Sequence, residues 1–248
     1  MKQLVKRLSF GKRRRRFDRP KDYPTDFDPA VVETIIRVRP FTLTSPERIS
    51  ALCETVKYVT TNAISGDFVE CGVWRGGSMM AAAITLQQLG HQDRDLHLFD
   101  TFEGMPPPSE HDVALDGSRA SEMLANQNRE DPSSVWCVSG LDEVKANLQT
   151  TGYPQHRIHY VPGKVEETVP AEAPEQIAIL RLDTDWYEST RHEMEQLYPR
   201  LVPGGVLIID DYGHWDGARR AVDEYIRAQR VPILLNRIDY TGRIGIAR

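Results

Sequence analysis

The 248-residue chain has few cysteines and no long apolar run. Cys53, Cys71 and Cys137 lie far apart, without the paired spacing of a zinc site or a disulfide framework. No run of about 18 apolar residues occurs, which excludes a membrane-spanning helix, and no apolar stretch follows the arginines at 13–16 as an export signal requires. We therefore expect a protein of a reducing cytoplasm.

The charge of the chain is unevenly distributed. The formal net charge is −5, yet the residues around 12–16 make the start of the chain strongly basic. Residues 1–30 also lack apolar periodicity, so we predict a disordered basic arm there. The arm either touches an anionic surface or is a solvated tail, and the second interpretation is favoured. No specific nucleic acid partner is predicted.

The length of the chain is typical of one domain with one core. We therefore predict a single domain over residues 31–248. Its first part, 31–65, has the apolar spacing of helices, and Ser45 before Pro46 is a typical helix start. This segment is predicted to form an N-terminal helical cap.

After residue 65, short apolar runs alternate with helical patterns. This alternation is typical of α/β proteins with a mostly parallel, doubly wound sheet. The predicted strands, seven in number, are 67–72, 95–100, 158–161, 177–182, 206–209, 233–236 and 243–247. Residues 101–134 are rich in proline, glycine, serine and charge and are too long for an ordinary connection, so we predict a lid or binding loop there.

Glycines follow the first predicted strand and open a helix. In the segment from Glu70 to Ser78 they let the backbone approach a nucleotide-like ligand. The pattern differs from the dinucleotide fingerprint Gly-x-Gly-x-x-Gly, and Glu70 suits a cationic group such as the ammonium of S-adenosylmethionine. The alternative is that these glycines serve packing alone.

Two further segments lie at strand ends where a cofactor could bind. Asp100 ends the second strand 23 residues after Gly77, close to the separation at which an acid meets ribose hydroxyls. Alternatively, Asp100 caps the following turn. Gly163–Glu166 after the third strand forms either the adenine side of the site or a plain turn.

Four carboxylates follow the fourth and fifth predicted strands. Asp183, Asp185, Asp210 and Asp211 should meet at one sheet edge, where hard oxygen ligands suit Mg²⁺, Ca²⁺ or Mn²⁺ rather than zinc. Neighbours in a strand face opposite sides, so Asp210 and Asp211 share an ion only if the strand has ended or bulged. The alternative is helix capping. His214 near the same edge either takes a proton or is a hydrogen-bonded support.

Together these segments resemble the macrocin O-methyltransferase family, metal-dependent enzymes that methylate sugar hydroxyls on macrolide and aminocoumarin antibiotics. The resemblance rests on residues 42–48 (TLTSPER), 68–78 (FVECGVWRGGS), 99–106 (FDTFEGMP), 165–168 (VEET) and 209–215 (IDDYGHW). The arginine-rich N-terminus and the pair Lys164-Val165 depart from the family pattern.

The resemblance implies a Rossmann-like class I methyltransferase fold, S-adenosylmethionine and Mg²⁺. The expected metal ligands are Asp183, Asp210 and Asp211, with Asp185 or His214 as the general base. The expected cofactor residues, counted together with adjacent residues of the same motifs, are Glu70, Gly72, Arg75, Gly76, Gly77, Ser78, Asp100, Thr101, Gly163, Lys164, Val165, Glu166 and Asp183.

The expected reaction is methyl transfer to a hydroxyl of a sugar or another vicinal diol, on a small-molecule or glycan acceptor. Within the same chemistry, the alternative is a catechol-type phenolic acceptor. Outside it, the alternatives are a nicotinamide-dependent oxidoreductase and a non-catalytic ligand-binding protein. Association into a homo-oligomer is left open.

Overall fold

The structure, a computed structural model, describes residues 19–131 and 134–248. Residues 1–18, which hold the arginine-rich part of the predicted arm, lie outside this range. The helices are α1 Pro29–Val38, α2 Pro46–Thr61, α3 Gly77–Gln88, α4 Ala120–Asn126, α5 Leu141–Gln149, α6 Val165–Thr168, α7 Tyr187–Gln196 and α8 Asp216–Gln229. The strands are β1 Asp67–Cys71, β2 Leu96–Asp100, β3 Ile158–Pro162, β4 Ile177–Leu182, β5 Leu201–Ile209, β6 Asn236–Arg237 and β7 Arg243–Ile246.

The strands form one seven-stranded sheet in the order β3-β2-β1-β4-β5-β7-β6. β1 to β5 are parallel, whereas β7 pairs antiparallel with both β5 and β6. The prediction of a doubly wound, mostly parallel α/β fold is therefore confirmed. The chain reverses its direction of winding between β1 and β4, which is where ligands bind in sheets of this kind.

The core has one apolar layer on each face of the sheet. Phe68 of β1 packs with residues of α1, α2, α3 and α5, and its neighbour Val69 packs with Met194 of α7 and Val222 of α8. Successive strand residues face opposite sides, so both faces of β1 are apolar. α1 and α2 cover the first face as the predicted helical cap.

Three predicted boundaries are wrong. The sixth strand, predicted at 233–236, is Asn236–Arg237. The predicted arm extends to residue 30, yet Pro20–Asp22 form a 3-10 turn and Tyr23 is buried. β5 begins at Leu201, whereas Pro203 and the two glycines after it were expected to precede the strand. These residues lie beside a break in the β4–β5 register, where a bulge accommodates them.

The predicted lid is more structured than a loop. It contains α4, and its apolar residues Ala114, Ala120 and Leu124 pack against Trp186 and Trp215.

Within the described residues, no helix has the length and apolar character of a membrane span.

Candidate active site

The carboxyl ends of β1, β2 and β4 carry an unusual backbone conformation. Trp74, Phe102 and Asp185 follow these strands, and all have positive φ angles, of 47°, 54° and 67°. Cys137, in the segment after the predicted lid, has a φ of 46°. Left-handed geometry is uncommon outside glycine and is concentrated at functional sites. The strain therefore marks this sheet edge as the candidate site.

An acidic cluster lies at this edge. Carboxylate oxygens of Asp183, Asp185 and Asp211 lie within 4.8 Å of one another. Burial, opposed by the charge of the nearby Arg181 and reinforced by that of Asp211, raises the pKa of Asp183 to about 7. Burial and the charge of Asp211 also raise the pKa of Asp185 well above its usual range. Three carboxylates this close repel one another, and a bound cation would relieve that repulsion.

Asp210, which was predicted as a metal ligand, lies outside this acidic cluster. Its Oδ1 accepts a 2.5 Å bond from Arg181, and its Oδ2 pairs with Arg48 of α2. The two neighbouring aspartates therefore differ in their partners, because Asp210 is held by arginines and Asp211 belongs to the acidic cluster. The third member of the cluster is instead Asp185, which was predicted as a general base.

Glu70 lies beside the cluster and is completely buried. Its Oε1 accepts a 2.7 Å bond from Arg181, while its Oε2 has no hydrogen-bond partner within the described residues. Burial raises the pKa of Glu70 to about 8 despite the neighbouring guanidinium. An unpartnered buried carboxylate oxygen is costly and is well placed to receive a cationic group.

Asp100 bonds to the backbone of two turns. Its Oδ2 accepts from the N–H groups of Val73 and Trp74 at 2.6 and 3.1 Å, and its Oδ1 accepts from Phe102 at 2.7 Å. The capping alternative therefore describes this residue in the structure. By these bonds Asp100 fixes the turn after β1 against the turn after β2.

The glycines of the first turn are required by packing. A Cβ at Gly72 would lie 2.0 Å from the carbonyl oxygen of Asp183, and one at Gly77 would lie 2.5 Å from that of Phe41. Gly76, with a φ of 86°, is the N-cap residue of α3 and faces Leu148. The packing alternative accounts for all three positions.

Several predicted cofactor residues point elsewhere. Arg75 lies over the ring of Trp74 and 3.2 Å from Glu143 of α5. The Thr101 hydroxyl donates to the carbonyl of Gly104, and Val165 is buried in the second apolar layer. Ser78, by contrast, is buried in the first turn of α3 with its side chain beside Glu70, where it partly offsets the rise in the pKa of Glu70 that burial causes.

The turn after β3 faces a cavity under the lid. Lys164 and Glu166 line this space of about 390 Å³ together with Pro106 and Trp186. The Gly163 N–H donates to the carbonyl of Asp100 at 3.0 Å, which joins the turn to β2. Lys164 and Glu166 are therefore accessible to a ligand in this cavity.

The lid and His214 lie at the same edge of the sheet as the acidic cluster. Asp112 of the lid is buried and accepts a 2.7 Å bond from the N–H of Tyr187 at the start of α7. Leu115 donates its N–H to the carbonyl of His214. Burial lowers the pKa of His214, which keeps the ring neutral near pH 7.

Comparisons with known proteins decide the family. A model of the family described as Macrocin-O-methyltransferase (TylF) matches residues 31–244. The chain belongs to the macrocin O-methyltransferase family. It is 35% identical over 201 residues to the 8-demethyl-8-(2,3-dimethoxy-alpha-L-rhamnosyl)-tetracenomycin-C 4'-O-methyltransferase of Streptomyces olivaceus, covering 81% of this chain and 73% of that protein.

Two further matches agree with this assignment. The demethyldecarbamoylnovobiocin O-methyltransferase of Streptomyces niveus is 34% identical, covering 74% of this chain and 67% of that protein. The solved O-methyltransferase NovP has a TM-score of 0.72 and 31% identity, covering 84% of this chain and 82% of that structure. This macrocin O-methyltransferase family member is thus an O-methyltransferase, and the oxidoreductase alternative is wrong.

In this macrocin O-methyltransferase family member, two arginines that were not predicted as site residues lie at the site. Arg181 of β4 is buried and contacts Glu70, Asp183 and Asp210, and Arg48 joins Asp210 to Asp239. The available signal was a charged residue within the apolar run 177–182, because arginine is almost never fully buried unless it is paired.

Proposed function

We propose that the protein transfers a methyl group from S-adenosylmethionine to a sugar hydroxyl of a natural product, with the help of Mg²⁺. The observation that carries the proposal is the acidic cluster of Asp183, Asp185 and Asp211, within 4.8 Å, on the same edge as the buried Glu70. Family membership supports the reaction, and the printed names of the relatives support a sugar on a larger scaffold as acceptor.

Glu70 and the start of α3 suit the amino-acid part of the cofactor. The unpartnered Oε2 of Glu70 would receive its ammonium group. No side chain caps α3 within the described part of the chain, so the first N–H groups of the helix remain for its carboxylate. Asp100 holds the turn between them through its backbone bonds. Lys164 and Glu166 would face the adenine side.

The acidic cluster suits a hard divalent cation. Asp183, Asp185 and Asp211 supply only carboxylate oxygens, as Mg²⁺ prefers, and one oxygen of Asp211 is buried without a partner within the described residues. When bound, the ion would lower the pKa of an acceptor hydroxyl. The three carboxylates would hold it next to Glu70.

His214 is the better candidate for the general base. Asp185 belongs to the acidic cluster, so its oxygens are committed to the cation. His214 follows Asp211 on the same turn, and its lowered pKa leaves a ring nitrogen free to accept a proton near pH 7. The exposed apolar residues Leu115 and Tyr240 flank it and would contact the acceptor.

The first experiment is calorimetry with S-adenosylhomocysteine, with and without Mg²⁺, and with NAD⁺ as comparison. We expect micromolar affinity for the thioether and none for NAD⁺. Methyl transfer from S-adenosylmethionine is then assayed with a rhamnoside and a catechol, each with Mg²⁺ or EDTA. Absence of thioether binding would overturn the cofactor assignment, undiminished turnover in EDTA would overturn the metal, and preference for the catechol would overturn the sugar acceptor.

A further inference from the structure

Arg181 lies between the two halves of the proposed site. It is only 2% exposed, and it pairs in register with Glu70 of the neighbouring strand β1. On its own strand it precedes Asp183 by two residues, so the two side chains share a face of the sheet. Its position therefore brings one guanidinium against a proposed cofactor ligand and a proposed metal ligand.

The hydrogen bonds of Arg181 join both carboxylates through a single nitrogen. Nη1 donates to Glu70 Oε1 at 2.7 Å and to Asp183 Oδ2 at 2.6 Å. Nη2 donates to Asp210 Oδ1 at 2.5 Å and to Thr44 Oγ1 at 3.1 Å. The planar fork of arginine satisfies these four acceptors at once, which the single ammonium of lysine cannot do.

These bonds orient both acids. Because Arg181 holds Oε1 of Glu70, the other oxygen, Oε2, stays unpartnered for a cation. Because it holds Oδ2 of Asp183, that carboxylate is fixed toward Asp185 and Asp211. Arg48, the other arginine that pairs with Asp210, contacts Asp210 and Asp239, and within the described residues it forms no ion pair with Glu70 or Asp183.

We propose that Arg181 is a positioning residue that holds Glu70 and Asp183 together and thereby couples cofactor binding to metal binding. The proposal rests on the proposed function, because it assigns these acids to the cofactor and the ion. Glu70 does not belong to the acidic cluster, so a change at Glu70 reaches the ion by two routes: the shared nitrogen of Arg181 and the direct repulsion between Glu70 and Asp183. Replacing Arg181 weakens only the first route. Residues behind the direct ligands commonly change metal affinity by about 10- to 100-fold.

The first test compares Arg181→Lys with the matched control Arg48→Lys. Binding of S-adenosylhomocysteine and of Mg²⁺ is measured separately by calorimetry, with the melting temperature as a check on folding. We expect Arg181→Lys to lose about tenfold in both affinities and Arg48→Lys to keep the thioether affinity within about twofold. Wild-type affinities in Arg181→Lys, or equal losses in Arg48→Lys, would overturn the proposal.

A second test remains informative if Arg181→Lys folds poorly. In the cofactor-free protein, Glu70→Gln should weaken Mg²⁺ binding, because the guanidinium is then shared by fewer charges and holds Asp183 more strongly. In the Arg181→Lys background, Glu70→Gln should weaken Mg²⁺ binding less than it does in the wild-type protein. A double-mutant cycle measures this difference. If Glu70→Gln leaves Mg²⁺ affinity unchanged, the coupling is wrong. If the wild-type protein binds neither probe, the proposed function itself is wrong.

Discussion

The two halves of the candidate site differ in how their polar groups are satisfied. At the ends of β1 and β2, Asp100 accepts three backbone bonds and each glycine faces a close neighbour. At the ends of β4 and β5, Asp183, Asp185 and Asp211 bring more negative charge than their neighbours offset. Apart from the unpartnered Oε2 of Glu70, the polar groups of the first half are thus satisfied within the protein, whereas the second half carries negative charge that a cation would offset.

The largest expected effect concerns the acidic half. Asp185→Asn removes one of the three clustered carboxylates, and we expect methyl transfer with Mg²⁺ to fall by about 100-fold or more. Binding of S-adenosylhomocysteine should stay within a few-fold, because Glu70 and the first turn are untouched. Initial rates and calorimetry on the same preparation measure both.

The matched control for this substitution is Asp216→Asn. Asp216 is an exposed carboxylate at the start of α8 and lies outside the cluster. It should leave both rate and binding near the wild-type values. Equal losses in the two variants would mean that net charge, and not the cluster, determines the rate.

Asp210→Asn tests whether Asp210 lies outside the acidic cluster and pairs with arginines instead. It removes the buried charge that lies between Arg181 and Arg48, so the free energy of unfolding should fall by about 3 kcal/mol. Urea unfolding measures this change. Asp211→Asn relieves repulsion instead and should not destabilise the metal-free protein. If Asp211→Asn destabilises it as much as Asp210→Asn does, the contrast between these neighbours is wrong.

Gly77→Ala tests whether packing explains the cofactor half. The new methyl group would meet the Phe41 carbonyl oxygen, so stability should fall by about 2 kcal/mol. Gly140→Ala is the matched control, because a Cβ there meets nothing within 4 Å and the φ angle is −73°. Thermal unfolding of both variants gives the comparison, and equal melting temperatures would argue against the packing explanation.

The pH dependence of stability should reflect both halves through their raised pKa values. Burial raises the pKa of Glu70 from 4.5 in the unfolded chain to about 8 in the folded protein. Between these pH values the folded state therefore binds more protons than the unfolded state. Stability should therefore fall by a few degrees in melting temperature as the pH rises from about 6 to about 8. Asp183, raised to about 7, acts in the same direction.

Two variations sharpen this pH test. Glu70→Gln should flatten the melting profile, because the amide does not titrate. Added Mg²⁺ should stabilise the protein more at about pH 8 than at about pH 6, since the cluster is then ionised. A melting temperature that rises with pH over this interval would contradict the predicted sign.

The fold was predictable because short aliphatic runs alternate with helical spacing over the whole domain. The start of β5 was missed because Pro203 and its glycines are typical of turns, while pairing across a bulge keeps them in the strand. The choice between Asp210 and Asp211 was not predictable. It depends on Arg48, which is 162 residues from Asp210 in the chain, and local sequence carries no signal for such a partner.

The smallest expected effect lies on the acceptor side of the acidic half. Leu115 and Tyr240 are 66% and 57% exposed, and they flank His214 through a backbone bond and a ring contact of 6.0 Å. Apolar side chains beside the proposed base would contact the scaffold that carries the sugar. Leu115→Ser should therefore raise the KM for a rhamnosylated aglycone about threefold without changing kcat, a loss typical of one apolar contact.

Two comparisons separate this effect from a general loss of apolar surface. Leu234→Ser removes a leucine that is 75% exposed and lies in the segment before β6, and it should leave KM unchanged. With methyl rhamnoside, which lacks the scaffold, Leu115→Ser should behave as wild type. A higher KM for both acceptors would mean that Leu115 contacts the sugar or supports the lid, because only a contact with the scaffold disappears when the scaffold is absent.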